Sequence, residues 1–146
     1  MAKFEALNPS FAKEVNDSFA RQSIMSLIDA RLTNVEPGRI QISLPFRGDL
    51  TQQHGYLHAG IITTIADSAC GYAAYSLMPP DSEVLSIEFK INLLRPGKGD
   101  SFVARAEVLR PGKTVTAVRA DVFALSDDKE TLIATMQGTM MCLVKT

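Results

Sequence analysis

The 146 residues contain no tryptophan, only two cysteines, and ten tyrosines and phenylalanines together. Two cysteines make no disulfide framework, and no cysteine or histidine cluster has zinc-ligand spacing, so neither staples nor a metal is expected. Charge of one sign is also missing. Fifteen basic and sixteen acidic residues leave a formal net charge of -1, so no global basic field points to nucleic acid. Long hydrophobic runs are short of the roughly 20 residues a membrane span needs, because Asp67 divides the longest. The opening MAKFEALNPS has no apolar signal segment, which makes the cytoplasm the expected location. A chain of this length nonetheless buries a core unaided, and residues 1–146 read as one domain.

What the chain does have is one unusual stretch, Gln52 to Pro80. It opens with two glutamines, two histidines and two glycines, then turns mostly apolar, with Asp67 its one carboxylate. A helix apolar on nearly every side is enclosed by protein, so this is expected to be a buried central helix. It starts near His58 or Ala59 and stops near Leu77 or Met78, because Pro79 and Pro80 cannot continue it. Ile62, Ala66, Ala69, Ala73 and Leu77 recur at helical spacing, and Ala59, Gly60, Gly71 and Ala74 let another backbone come close. Asp67 needs a partner, a cavity or an interface, since an unpaired buried carboxylate is costly. A bond to Thr63 or Thr64 one turn back would make it structural; a cleft would make it functional.

Around this helix the pattern is mostly alternating. Asn8-Pro9-Ser10 reads as an N-cap with proline at the first helical position, and Phe11, Val15 and Phe19 follow at helical spacing. Two strands are expected near 26–35 and 39–45, joined by the Glu36-Pro37-Gly38-Arg39 turn. Four more follow: Leu85–Leu93, Phe102–Val108, Thr114–Ala124 and Leu132–Val144, separated by short turns that imply antiparallel neighbours. Apolar residues on both faces of the last run, Ile133, Met141 and Leu143 opposite Leu132, Met140 and Val144, suggest contact with another subunit. A strongly twisted antiparallel sheet of about six strands wrapped around one helix, an α+β domain with a short N-terminal helix, is the economical arrangement.

His58-Ala59-Gly60, with Asp67 nine residues after the histidine and Gln52 six before it, resembles the His-Gly-Gly plus Asp motif of the hotdog-fold thioesterase superfamily. The phenylacetate-pathway type of acyl-CoA thioesterase is the nearest likeness, and it extends over roughly residues 20–144. Ala59 stands where the motif has glycine and Gln52 where asparagine is frequent; both keep the functional donor.

The resemblance implies a homodimer, often paired into a homotetramer, with active sites shared at the helix-helix interface. It implies an acyl-CoA substrate, coenzyme A being part of that substrate and not a cofactor. By motif position Asp67 would be general base or nucleophile, the backbone N–H of Ala59 or Gly60 and the Gln52 amide would face the developing oxyanion, and Ser86 would hold the nucleophile. His58 would serve the catalytic site by polarising or ordering the loop, or would be a structural cap of the helix. Arg95, Lys98, Arg110 and Lys113 sit at turns, where they are solvated charges or partners for coenzyme A phosphates. A non-catalytic acyl-CoA-binding protein on the same fold is the alternative.

Overall fold

In the computed structural model, which describes residues 3–145, the chain opens with two helices, α1 (Phe11–Arg21) and α2 (Ser23–Leu27). A hairpin of β1 (Arg31–Glu36) and β2 (Arg39–Pro45) follows, then the long helix α3 (Ala59–Tyr75). Strands β3 (Ser82–Leu93), β4 (Ser101–Arg110), β5 (Val115–Ser126) and β6 (Lys129–Val144) complete it. All six strands form one antiparallel sheet in the order β1-β2-β4-β5-β6-β3. After β3, at the far edge, the chain crosses beneath β6 and β5 to reach β4, about 14 Å at ordinary strand spacing. That crossing runs under the start of α3, where Leu57 pairs with Gly97.

Packing follows from two periodicities. Every second residue of the middle strands, including Ile42, Leu44, Phe102, Ala104, Val118, Ala120, Val122, Met136 and Met140, faces inward and is buried. Against that surface α3 lays Ile62, Ile65, Ala66, Ala69, Cys70 and Ala73, also buried. The alanines let the rod sit close to the sheet. At its far end the buried Ser76 hydroxyl donates to Ala73 O at 2.7 Å and accepts the N–H of Gly38 at 2.7 Å, tying the helix to the β1–β2 turn. Gly38 has φ +75°, and a side chain there would press on Phe4.

Strand β3 differs from the rest. It lies at the sheet edge, pairs only with β6 among the described residues, and exposes Leu85, Ile87 and Phe89 by 41–54 %.

Four local expectations need correction. Asn8 is not the cap residue of α1: Ser10 holds that position, while the Asn8 Oδ1 accepts the Ser10 N–H at 2.9 Å in a turn that precedes the helix. Residues 26–30 are not strand. Met25 and Ile28, three apart, turn the same way and are buried, so the segment forms α2 and then reverses at Asp29, whose φ is 60°. α3 ends at Tyr75, and Leu77 and Met78 continue it only as a tightened turn, bonding to Ala74 and Tyr75. In β6, Ile133 is an extra residue between the Leu132–Phe123 and Ala134–Val122 pairs. This bulge reverses the alternation, so Ile133 points inward while Met141 and Leu143 point out.

Candidate active site

The loop entering α3 is built on the Gln52 side chain. Its Oε1 accepts the N–H of His54 at 2.7 Å and of Tyr56 at 3.2 Å, so the carbonyl half is committed and the NH2 half has no acceptor among the described residues. Gly55, with φ +82°, allows the tight turn between them. His58 then sits at the N-cap in extended backbone geometry, and its Nδ1 accepts the Gly60 N–H at 2.8 Å. This imidazole does the work usually given to Ser, Asn or Asp. The Gly60 amide is thereby engaged, and the Ala59 N–H, with no acceptor among the described residues, is left as an open donor at the positive end of the helix. Gln52, His54, Tyr56, Ala59 and Arg95 line a cavity of about 470 Å³ with an otherwise apolar wall of Leu57, Ile62, Leu93 and Leu94.

Asp67 lies two turns further along. Neither threonine takes it: Thr63 and Thr64 donate to the carbonyls of Ala59 and Gly60, both at 2.8 Å. Its partner comes from the sheet. The Ser86 Oγ donates to Asp67 Oδ1 at 2.7 Å, and lies 3.2 Å from the Met140 sulfur. The β3 bulge between Ser86 and Glu88 permits this, letting Ser86 turn toward the helix. The carboxylate is half-buried and lines a second, polar cavity of about 190 Å³. Its charge also reaches Cys70, whose thiol is pushed up mainly by burial and secondarily by Asp67. Cys70 and Cys142 are both free and buried.

One group near Asp67 has no counterpart in the motif. Gln22, at the junction of α1 and α2, accepts from the Ser68 hydroxyl at 2.9 Å and donates to the Tyr72 hydroxyl at 3.0 Å. Ser18 joins the same hydroxyl at 3.1 Å. Ser68 and Tyr72, four apart on an otherwise apolar helix, were the signal that something polar would face them.

The two halves do not meet within one chain. Asp67 and Ala59 are eight residues apart on α3, about 12 Å along the axis, and their cavities share no lining residue. Nor do the four turn cations gather. Arg95 and Lys98 lie near the start of α3, with the Arg95 guanidinium donating to Leu132 O at 2.9 Å. Arg110, the last residue of β4, and Lys113 just beyond it lie at the opposite end of that strand, about 30 Å away by strand rise.

A third cavity, on the outer face of the sheet, is ionic: Arg105 pairs with Glu130 at 2.6 Å and stacks over Phe123, and Arg119 pairs with Asp121 at 3.0 Å.

The family model described as the thioesterase superfamily matches residues 54–131, more than half of the chain. That span holds both the capped helix start and the Asp67–Ser86 pair. This chain belongs to the thioesterase superfamily. The superfamily's hotdog arrangement, one sheet around a central helix, is the one seen here. A solved thioesterase family protein from Silicibacter pomeroyi is 50% identical, with a TM-score of 0.91 over 92% of this chain and 99% of its own. The 1,4-dihydroxy-2-naphthoyl-CoA hydrolase of Listeria monocytogenes is 25% identical over 80% of this chain and 93% of its own length. The Escherichia coli PaaI protein of the phenylacetic acid degradation operon shares the fold, with a TM-score of 0.85 at 18% identity over 97% of this chain and 99% of its own. For this superfamily member, no helix among the described residues is long and apolar enough to cross a membrane, and no cluster of three or more potential metal ligands occurs among them.

Proposed function

We propose that the protein hydrolyses an acyl-CoA thioester, releasing the free acid and coenzyme A. The reading rests chiefly on the Asp67–Ser86 hydrogen bond of 2.7 Å, which aims an acidic group into an open cavity of a thioesterase-superfamily chain. The Listeria relative named as a CoA-thioester hydrolase supports the substrate class.

The chemistry divides between the start of α3 and its middle. Attack on the thioester carbon moves charge to the carbonyl oxygen, and the open Ala59 N–H with the uncommitted Gln52 amide are donors for it. Asp67 either draws a proton from water, which then attacks, or attacks directly to give an anhydride that water opens. In both versions Ser86 holds the carboxylate or the water in line. Coenzyme A departs as the thiol after taking up a proton.

These groups come within reach of one substrate when two copies lie side by side with antiparallel α3 helices, Asp67 of one copy against the helix start of the other. The unpaired, apolar edge of β3 is suited to join the two sheets across that axis. Arg95 and Lys98 then sit on the coenzyme A side of the helix start, with Arg110 and Lys113 supplied from the opposite end of the second copy. A homodimer, or a pair of dimers, is thus part of the proposal. Thiol release from a panel of acyl-CoAs tests it. Turnover by the wild type that is lost in Asp67→Ala supports the reading; equal slow rates for both remove Asp67 from the mechanism.

A further inference from the structure

We infer that the cavity beside Asp67 receives the far end of the acyl group and favours one carrying an oxygen acceptor there, with Gln22 as the residue that sets the preference. The inference deepens the thioester-hydrolase reading and rests on it. If the thioester carbon reaches Asp67 and coenzyme A runs toward the Arg95 turn, the remaining substituent enters the 190 Å³ space beyond the carboxylate.

The walls of that space decide what it accepts. Its helical side carries Ser18, Gln22, Ser68 and Tyr72, and their hydrogen bonds can be counted proton by proton. Gln22 Oε1 takes the Ser68 hydroxyl proton, and one of its two N–H groups goes to Tyr72. Ser18 and Tyr72 have two hydroxyl protons but share one hydrogen bond. The bonds of the cluster therefore leave one N–H and one O–H without a partner among the described residues. On the same wall Asp67 Oδ1 accepts from Ser86, and Glu83 pairs with Lys145 at 2.8 Å.

A methyl terminus pressed against this cluster would strip water from the spare donors and return nothing, whereas a carbonyl or ether oxygen would take them. Gln22 controls the surplus because it supplies one spare donor itself and turns the Tyr72 hydroxyl through the bond they share.

The test uses pairs of acyl-CoAs of equal length, one ending in a methyl group and the other in a methyl ketone, over a range of chain lengths. At the length that spans the cavity, the wild type should prefer the ketone in kcat/KM by about fivefold or more, the worth of one net hydrogen bond. Gln22→Leu and Gln22→Glu, which lack the N–H donors, should bring that ratio close to one, and melting temperatures check that both fold. The same pairs titrated calorimetrically into Asp67→Asn give a ratio of Kd values that needs no turnover. A wild-type ratio of one at every length, or a ratio unmoved in folded Gln22→Leu, overturns the inference while hydrolysis stands. Absence of turnover with the Kd preference intact overturns hydrolysis and leaves the preference in place.

Discussion

The imidazole of His58 accepts the Gly60 N–H at 2.8 Å, and by doing so selects which amide at the start of α3 stays open. A side chain at position 60 would meet that ring at 3.0 Å, so the cap and the glycine require each other. His58→Ala should cost about 1 kcal/mol of stability, the ordinary worth of an N-cap. His58→Asn, which keeps an acceptor, should recover most of it in urea denaturation. Activity should track the cap, falling in the alanine variant because the Ala59 amide loses its fixed direction.

In the proposed mechanism Gln52 has two jobs on its two atoms, and they can be separated. Gln52→Ala should both loosen the loop and lower kcat by ~10²–10³, the usual loss for one oxyanion donor. Gln52→Glu keeps an oxygen for the His54 and Tyr56 amides but has no N–H. It should melt near the wild-type temperature and lose as much in kcat. A Gln52→Glu protein with full activity would remove the side chain from the oxyanion site.

In the proposed dimer Asp67 and Gln52 of one chain serve different sites, so crippled proteins should rescue one another. Asp67→Asn and Gln52→Ala, each lower in kcat by ~10²-fold or more, should regain activity when unfolded together and refolded as a mixture. The mixed dimer holds one site with both wild-type groups. Additive residual rates after mixing would show that each chain works alone.

The exposed row on β3 should hold the copies together. Replacing Ile87 and Phe89, which are 54 % and 41 % exposed, with glutamate should shift the protein to monomers in light scattering. Far-UV circular dichroism should stay unchanged, since neither side chain belongs to the buried core, and turnover should fall with the assembly.

Cys70 predicts an alkaline limb. Its thiol is held well above the ordinary range, first by burial and then by the Asp67 charge. The folded state therefore keeps a proton that the unfolded chain gives up. Stability from this group is complete below the unfolded thiol value of about 8.5 and declines above it, by up to about 1.4 kcal/mol per pH unit. Cys70→Ala should flatten that decline, measured as the difference between the two proteins' denaturation midpoints across mildly alkaline pH.

The architecture was readable because its signals are long-range and redundant. Alternation in four later strands, one run apolar on all sides, and the Pro79-Pro80 stop each point to the same arrangement. Failures came where a single residue decides. Ile133 enters the core because a bulge on one strand is visible only against its partner. Asn8 has the composition of a cap but spends its side chain on the preceding turn. Residues 23–27 are too short for periodicity, and only the Met25–Ile28 spacing betrays the helix. At the site, the histidine and carboxylate were legible from spacing. Which amide stays open was not, since that depends on a ring nitrogen finding Gly60. Gln22 escaped notice because its partners are forty-six and fifty residues away.

The central rod is anchored at both extremities. Leu57 N–H bonds Gly97 O at 2.9 Å at one end, and Ser76 grips Gly38 at the other. A shaft seated in two such bearings neither slides nor rolls to suit a longer or bulkier acyl tail. Adaptation to new substrates therefore falls to what surrounds it, and the short helical overhang that carries Gln22, outside both anchors, is the panel most easily exchanged.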